Sequence, residues 1–425
     1  MPRASRRQFL KSAAAVFAAP YIIPQKCFGA NERVTVAAIG VRNQGLGNMK
    51  AFIGRGCNMA AICDVDSDVR ATAVKAAVEK NQNPTEYGDY RKVLDRNDID
   101  ALIVTVPDHW HALMTIHGCQ AGKDVYCEKP LSLTINEGRR MVDAARKYQR
   151  VVQTGSQQRS GEEFWTACTL IRNGQLGKIQ EILVGIPKSN YPGPLPADST
   201  PPANLDYDMW LGPAPMRPYN EKRVHYNFRF WWDYSGGQIT NFGAHHLDIA
   251  QWALGMDDSG PISVDGTATF NLPNISEVTE TCRLTYNYAN GTKVILGQLQ
   301  KDIPGGITFI GEKGKLAVNR GKITATPEEL LKVDVTTLPT QLYRSKNHHQ
   351  DFLDCIKSRA KPVADVEIGH RSATACHLGN ITARLGRGVK WDPQAEKFIG
   401  DAEAQSMTDR PYRKPWAHDT AYQPS

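Results

Sequence analysis

At 425 residues, the chain is long enough to form two domains that each bury a sizeable hydrophobic core. Its apolar fraction of 41% and charged fraction of 22% describe an ordinary soluble globular protein. The formal net charge of +7 arises mainly in residues 1–30, which hold five basic residues and no acidic one. The remaining chain is nearly neutral and has no basic run, which argues against a nucleic-acid partner.

The N-terminal segment reads "SRRQFLKSAAAVFAAPYIIP", a basic start followed by a small apolar run. The run is too short, and too interrupted by Pro20 and Pro24, to span a membrane. The stretch from Ser5 to Lys11 resembles the twin-arginine export signal, which carries folded proteins, often with a cofactor already bound. We therefore predict a signal peptide at residues 1–30 and a periplasmic location. The alternative is a chance basic N-terminus before a disordered tail.

Nine cysteines are scattered along the chain without a C-x-x-C pair. This distribution predicts neither a zinc framework nor a dense disulfide scaffold. Most of these cysteines are expected to be small buried hydrophobic residues.

Between residues 31 and 157, the pattern alternates between strands and helices. Strands that alternate with helices predict right-handed crossovers and a parallel sheet. The run "DALIVTVP" is continuously apolar, which is typical of a strand buried on both faces. The predicted strands are "RVTVAAIG", "NMAAICDVD", "DALIVTVP", "DVYCE" and "RVVQTG", and the predicted helices include "ATAVKAAVEK", "HALMTIHGCQAG" and "INEGRRMVDAARKY".

Beyond about residue 178, the pattern changes to strands separated by turns. Asn290-Gly291 predicts a tight hairpin, and the hairpin favours a largely antiparallel sheet. The proline-rich segment 187–206 is predicted to be a loop at the rim of a pocket. The predicted strands are "KIQEILVGIP", "ETCRLTYNY", "TKVILGQLQ" and "GKLAVNRGKITAT".

The segment "IGVRNQGLG" joins the first strand to a helix through a glycine-rich turn. Such a turn offers backbone N–H groups and a helix N-terminus to a pyrophosphate, as in dinucleotide-binding domains. Gly40 and Gly45 fit two of the three glycine positions, whereas Arg42 stands at the second and must turn its side chain outward. Asp64 ends the next strand, where an acid can bind the adenosine ribose and disfavour a 2′-phosphate. We therefore predict NAD rather than NADP. The alternative for the glycine segment is a plain turn, and the alternative for Asp64 is a helix cap.

The predicted fold class is α/β. Residues 31–157 form a Rossmann dinucleotide-binding domain. Residues 158–400 form an α+β domain that has a large, mostly antiparallel open sheet and binds the substrate, and residues 401–425 form a C-terminal extension.

Two further strand ends carry polar groups. In "VTVPDHWHA", Pro107 ends a strand and His111 enters the next helix, and in "VYCEKPLS", Glu128 and Lys129 follow a buried strand. Ligands of open α/β sheets bind at such strand ends, so these residues are candidates for the cofactor site. A structural salt bridge between Glu128 and Lys129 is the alternative.

The second domain contains "GGQITNFGAHHLDIAQW", in which two histidines are adjacent. Adjacent side chains on a helix point about 100° apart, so His245 and His246 are not expected to converge on one ion. No metal site is predicted. A buried structural histidine pair is the alternative to a catalytic role.

Together, "EKP", "PDHWH" and "GGxxxNxGxHxxD" resemble the Gfo/Idh/MocA oxidoreductase family, from about residue 33 to the end of the chain. The resemblance implies a nicotinamide cofactor in the first domain and a sugar or cyclitol placed over it by the second. It implies that Lys129 is the catalytic lysine, that His245 is a general base, and that Glu128 and Pro107 lie near the nicotinamide. Gln157, at the end of the first domain, is a further candidate for cofactor binding.

One residue departs from the family pattern. Dehydrogenases of the family commonly carry an aspartate at the position of Asn241. The asparagine is expected to orient His245 by a hydrogen bond, but it cannot stabilise a protonated imidazole by charge. Asp248 is expected to substitute in part for that aspartate. Asp248, Arg159 and Lys178 are candidate substrate contacts, with solvated surface charge as the alternative for the two cations.

Three functions remain open from the sequence. The first is an exported oxidoreductase that acts on a sugar, glycoside or cyclitol hydroxyl with a tightly bound, recycled NAD. The second is a glycoside hydrolase or lyase that works through a transient 3-keto intermediate. The third, a sugar-binding protein without enzymatic activity, is disfavoured by Lys129 and His245. The resemblance also implies a homo-oligomer that associates through the open face of the second-domain sheet.

Overall fold

The computed structural model describes residues 33–417 and Tyr422, and from Val34 onward they form one compact unit. The predicted signal peptide therefore lies outside the described residues. Within the described part of the chain, no helix has the length and apolar character needed to cross a membrane.

The first domain is built on a parallel sheet. The strand order is 3-2-1-4-5-6 in chain numbering, so the chain starts in the middle of the sheet and winds outward in both directions. The topological switch point lies between the first and fourth strands, where ligands of doubly wound sheets bind. The strands are β1 (Thr35–Ile39), β2 (Asn58–Cys63), β3 (Thr85–Tyr87), β4 (Ala101–Val104), β5 (Asp124–Cys127) and β6 (Val152–Thr154).

Helices cover both faces of this sheet. Two of them begin with well-formed caps, since Asp66 accepts from the backbone N–H groups of Asp68 and Val69, and Thr134 and Glu137 form a capping box. The helices are α1 (Gln44–Gly54), α2 (Ser67–Val78), α3 (Tyr90–Leu94), α4 (Asp108–Gln120) and α5 (Ile135–Lys147).

The second domain is built on a mixed sheet that is mostly antiparallel. Its strand order in chain numbering is 13-12-11-7-10-9-8-14-15, and only the pairing of the seventh with the tenth strand is parallel among those described. The predicted α/β architecture is confirmed. The strands are β7 (Ile179–Ile186), β8 (Ser263–Thr269), β9 (Thr281–Asn287), β10 (Lys293–Gln298), β11 (Gly306–Gly311), β12 (Gly314–Asn319), β13 (Lys322–Thr326), β14 (Val389–Asp392) and β15 (Lys397–Phe398).

Burial alternates along β9, so one face of the sheet contributes to the hydrophobic core and the other is partly exposed. The core-facing side packs against helices whose residues are buried nearly all round, as expected for helices enclosed within a domain. The helices of this part of the chain are α6 (Glu162–Arg172), α7 (Tyr207–Leu211), α8 (Gln238–Asn241), α9 (Gly243–Leu254), α10 (His348–Ser358), α11 (Val366–Leu385) and α12 (Ala402–Ser406).

Later segments of the chain return to the first domain. Phe352 of α10 packs against Phe52 and Tyr126, so this helix belongs to the core beneath the parallel sheet although it lies within residues 158–400. Near the C-terminus, the Trp416 ring packs edge-on against Trp110 of α4, with centroids 4.8 Å apart. The C-terminal segment therefore crosses back over the first domain.

Candidate active site

A cleft of about 940 Å³ opens at the carboxyl ends of the parallel strands, beside the switch point of the sheet. Turns that follow β1, β2, β4 and β5 form one wall. The second domain supplies the other wall, from α8, α9, the turn at 225–229 and the hairpin between β12 and β13. This is the position at which open α/β sheets bind their ligands.

The glycine-rich turn forms one end of the cleft. Gly40 has a φ of +76°, and a Cβ there would lie 2.3 Å from the carbonyl oxygen of Thr105. A Cβ on Gly45 would lie 2.0 Å from the carbonyl oxygen of Gly40. Neither position has room for a side chain, so backbone N–H groups at the start of α1 stay accessible to a pyrophosphate. The turn therefore fits the phosphates of a dinucleotide.

Arg42 and Asp64 border the same end of the cleft. The Arg42 side chain turns outward as expected, is 48% exposed, and lies 3.9 Å from the Asp66 carboxylate. The Asp64 carboxylate accepts hydrogen bonds from the backbone N–H groups of Val41 (2.9 Å) and Asp66 (3.0 Å). Burial raises the pKa of Asp64. These two backbone bonds hold the acid in the cleft, where it can accept from ribose hydroxyls.

Glu128 is buried at the carboxyl end of β5 and bonds to neutral groups. Its Oε1 accepts from Asn48 Nδ2 (3.0 Å) and from Gln157 Nε2 (2.9 Å). Gly155 makes room for this carboxylate, since a Cβ there would lie 2.8 Å from it. Glu128 forms no ion pair with the Lys129 ammonium among the described contacts, so the predicted salt-bridge alternative does not apply. Pro107 and Gln157 line the cleft beside it.

Lys129 points across the cleft toward the second domain. Its Nζ donates to Asn241 Oδ1 at 2.7 Å, and Asn241 Nδ2 donates to Gln238 Oε1 at 2.9 Å. Burial lowers the pKa of Lys129, which favours its neutral amine. The expectation that Asn241 orients His245 was wrong, because the amide uses both of its ends for Lys129 and Gln238.

His245 lines the cleft at the start of α9, and its Nδ1 has no hydrogen-bond partner among the described residues. Burial lowers the pKa of this imidazole well below its usual value, and the positive charges of Lys129 and Arg320 lower it further. Its neighbour His246 is also buried, with a pKa lowered by burial to about 4. Both rings are therefore neutral near pH 7. No group of three or more potential metal ligands occurs within the described residues.

Comparison with known proteins identifies the family. A model described as an oxidoreductase family NAD-binding Rossmann fold matches residues 34–156, and a model described as an oxidoreductase family C-terminal alpha/beta domain matches residues 194–418. The chain belongs to the Gfo/Idh/MocA oxidoreductase family. The predicted family and the predicted NAD-binding first domain are both confirmed.

Proteins similar to this chain carry different names. YrbE of Bacillus subtilis, named an uncharacterized oxidoreductase, is 25% identical over 340 residues, which cover 78% of this chain and 86% of YrbE. The alpha-N-acetylgalactosaminidase of Shewanella oneidensis is 31% identical over 201 residues, which cover 41% of this chain and 44% of that enzyme. The aldose-aldose oxidoreductase of Caulobacter crescentus, solved with glycerol, shares the fold with a TM-score of 0.59 and 16% identity, over 84% of this chain and 100% of that chain.

Two predicted substrate contacts of this family member lie outside the cleft. Arg159 is 1% exposed, and its Nε lies 2.8 Å from Asp248 Oδ2 while its Nη2 lies 2.7 Å from Asp257 Oδ1. Asp248 also accepts from Ser372 Oγ at 2.6 Å. Because this buried ion pair occupies both groups, the prediction that Arg159 and Asp248 contact substrate is corrected. Asp248 does not replace the missing acid beside His245 either.

Two more predicted site residues serve other roles. The His111 ring nitrogens bond to the carbonyl oxygens of Pro130 (2.7 Å) and Val106 (2.9 Å), so this buried histidine braces two cleft-forming turns and does not line the cleft. Lys178 precedes β7 outside the cleft, and its backbone N–H donates to Glu312 Oε2. The predicted cofactor contact of His111 and the predicted substrate contact of Lys178 are therefore corrected.

Several residues that line the cleft were not predicted. Asp108 lies next to Pro107 in the "PDHWH" motif, is buried, and accepts from Ser235 Oγ at 2.6 Å. Arg229 and Arg320 also line the cleft, from the turn before α8 and the hairpin after β12. Asp108 could have been found from its position at a strand end. Arg229 begins the aromatic run "RFWWDY", which could have marked it. Arg320 lies in a hairpin whose sequence shows no motif, so only the fold brings it to the site.

Proposed function

We propose that this family member is an NAD-dependent oxidoreductase that oxidises a CH–OH group of a sugar, glycoside or cyclitol. The observation that carries the proposal is the Lys129–Asn241 hydrogen bond inside a cleft that begins at a dinucleotide-binding turn. A buried lysine whose ammonium contacts no carboxylate is suited to accept and return a proton.

The residues of the chain provide positioning and proton transfer. When bound, NAD supplies the acceptor for the hydrogen that leaves the carbinol carbon with its electron pair. Lys129, in its neutral form, accepts the hydroxyl proton, and Asn241 Oδ1 directs its Nζ. The neutral His245 lines the cleft, where its imidazole can form a hydrogen bond with the substrate. Oxidation of a carbinol requires both events, since the O–H proton must leave with the C–H hydrogen.

We further propose that the cofactor is held tightly and recycled, and that the protein is exported to the periplasm by the twin-arginine route. The segment 187–206 supports the first part, because its end packs against the turn after β2. Asn204 Nδ2 donates to Asp66 Oδ1 at 2.9 Å, and the Ser67 N–H donates to the Asn204 carbonyl at 2.8 Å. These contacts lie two residues from Asp64 and would cover the ribose end of the cleft.

A second candidate function is redox-neutral cleavage of a glycoside. It is favoured by the similarity to the alpha-N-acetylgalactosaminidase of Shewanella oneidensis, although the match covers less than half of that enzyme. In such a reaction, a transient ketone acidifies the adjacent C–H bond, so that the leaving group is eliminated before the ketone is reduced again. The net redox change is zero.

One experiment separates these functions. The protein is purified without added cofactor, its bound NAD is measured, and the NAD-loaded form is incubated with free sugars and with aryl glycosides. A keto sugar together with NADH supports the oxidoreductase, whereas release of aglycone with NAD unchanged supports glycoside cleavage. If no NAD binds even when it is supplied, both proposals fail.

A further inference from the structure

Arg229 lines the cleft from the turn before the Trp231–Trp232 pair, without an ionic partner among the described residues. Its Nε donates to the Tyr226 carbonyl at 2.9 Å, and its guanidinium carbon lies 3.9 Å from the Tyr226 ring centroid. Its terminal nitrogens make no hydrogen bond within the described part of the chain. Burial lowers the pKa of Arg229, a sign that its charge is poorly solvated. An unpaired, partly buried guanidinium is costly unless a ligand pairs with it.

Arg320 approaches the cleft from the hairpin between β12 and β13. Its guanidinium carbon lies 5.5 Å from the Phe242 ring centroid, and no described carboxylate lies within salt-bridge distance of it. Its Nε donates to the Gln158 side-chain oxygen at 3.2 Å when that amide is oriented to donate to the His245 carbonyl. Burial lowers the pKa of Lys129 most, the charges of Glu128 and Asp108 raise it, and those of Arg229 and Arg320 lower it. Both arginines therefore lie in the same part of the cleft as Lys129.

The acids that line this part of the cleft bond to neutral groups. Asp108 accepts from Ser235 Oγ, Glu128 accepts from two side-chain amides, and Glu163 Oε1 accepts from the Gly321 N–H at 2.8 Å. Burial also raises the pKa of Asp108, which favours its uncharged form. Asp108 is near enough to Arg229 to raise the pKa of the guanidinium against the effect of burial, but neither arginine forms an ion pair with an acid among the described residues. Lys188 adds a further cation to the cleft lining.

We propose that the substrate carries an anionic group, a carboxylate or a phosphate on the carbohydrate, which binds between Arg229 and Arg320. This inference rests on the proposed function, since it names the substrate class of the same site. Planar guanidinium groups match the oxygens of carboxylates and phosphates in paired, charge-assisted hydrogen bonds. A neutral sugar would leave both arginines unpaired.

The test uses the NAD-loaded protein and matched sugars: glucose, glucuronate and glucose 6-phosphate, and galactose with galacturonate. Binding is measured by calorimetry, and kcat/KM by the appearance of NADH or of a keto sugar. We expect the charged sugars to bind about tenfold or more tightly than their neutral partners, the effect of a charge-assisted hydrogen bond. A preference for the uronates alone identifies a sugar acid, and a preference for the phosphate alone identifies a sugar phosphate.

Variants assign the preference to the two arginines. Arg229→Gln and Arg320→Gln are expected to lower the ratio of charged to neutral sugar affinity, and Arg229→Lys to restore part of it. Arg283→Gln, which removes an arginine paired with Asp302 outside the cleft, is expected to keep the ratio of the native protein.

Each outcome separates this inference from the proposed function. If neutral sugars bind and turn over as well as charged ones, the inference is overturned and the oxidoreductase proposal stands. If no sugar is oxidised, the oxidoreductase proposal fails, and the binding data alone decide the inference. The inference is also overturned if the charged sugars do not bind, or if their advantage survives in both glutamine variants.

Discussion

Lys129 and Asn241 are joined across the cleft by a hydrogen bond of 2.7 Å from Nζ to Oδ1. The amide oxygen accepts this bond without adding charge, and the ammonium contacts no carboxylate among the described residues. Because burial lowers the pKa of Lys129, the neutral amine is available to accept a proton. The asparagine thus directs the lysine without stabilising its cation by charge.

Replacing this amide by a carboxylate should change the pH dependence of catalysis. In Asn241→Asp, the new negative charge lies in contact with the Lys129 ammonium and raises the pKa of Lys129. The limb of kcat/KM that reports deprotonation of Lys129 therefore moves to higher pH, which a pH–rate profile measures. Asn290→Asp in the β9–β10 hairpin is the control, since it introduces the same charge outside the cleft. An unchanged profile in Asn241→Asp would exclude residue 241 from control of the Lys129 proton.

Two glycine variants test whether the glycine-rich turn binds the phosphates of NAD. Gly40→Ala places a Cβ 2.3 Å from the Thr105 carbonyl oxygen at a φ of +76°, so it should distort the turn and lower the NAD content of the purified protein. Gly47→Ala, in the same α1 region, meets no atom within 4 Å and should retain NAD. Cofactor content is measured after denaturation. Equal NAD content in both variants would contradict the assignment of this turn to the phosphates.

The buried ion pair of Arg159 predicts a stability defect. Arg159→Met leaves the Asp248 carboxylate buried without its cation, which should lower the free energy of unfolding by about 3–5 kcal/mol. Urea denaturation measures this loss. The control Arg283→Met breaks the exposed pair with Asp302 and should cost at most about 1 kcal/mol. A stable Arg159→Met protein with weakened substrate binding would restore the original prediction of a substrate contact.

Buried histidines predict an acid-sensitive fold. Burial lowers the pKa of His109 and His246 to about 4 and of His348 and His377 to about 3, from 6.5. At these four residues the unfolded chain binds more protons than the folded one, so their contribution to the free energy of unfolding decreases as pH falls below 6.5. Each of the four contributes about 1 kcal/mol to the loss between about pH 7.5 and about pH 5.5. His111, whose pKa is raised to about 10, contributes in the opposite direction.

His377→Gln isolates one of these contributions. The glutamine amide can still donate to the Ser132 carbonyl, which His377 Nε2 contacts at 3.0 Å, but it does not titrate. The dependence of unfolding free energy on pH, from urea titrations at several pH values, should therefore be shallower in this variant. The same slope in both proteins would show that His377 is not kept neutral by the fold.

Features that depend on local sequence could be predicted. The glycine turn, Asp64 and the "EKP" segment each follow a buried strand, and the parallel topology brings such strand ends together. The antiparallel second sheet followed equally from its hairpin and from regularly spaced strands. These predictions needed only the chain order of the elements and the chemistry of strand ends.

Features that depend on contacts between residues far apart in the sequence could not be predicted. Lys129 and Asn241 are 112 residues apart, and Arg159 and Asp248 are 89 residues apart. In each pair, the sequence around one residue therefore does not indicate its partner. Arg159 and Lys178 looked alike as isolated cations, but one is buried in an ion pair and the other lies outside the cleft. His111 shared a motif with cleft residues, although its ring braces two backbone turns instead of reaching the cleft.

The most direct test of the central claim is a single-turnover measurement on NAD-loaded protein. Reduction of bound NAD by an accepted sugar is followed in the native protein and in Lys129→Met, with cofactor content measured in both. We predict equal NAD content and a rate lower by about 10²–10⁴-fold in the variant, the usual contribution of a positioned acid–base group. Equal rates in the two proteins, at equal NAD content, would contradict the assignment of Lys129 as the proton acceptor.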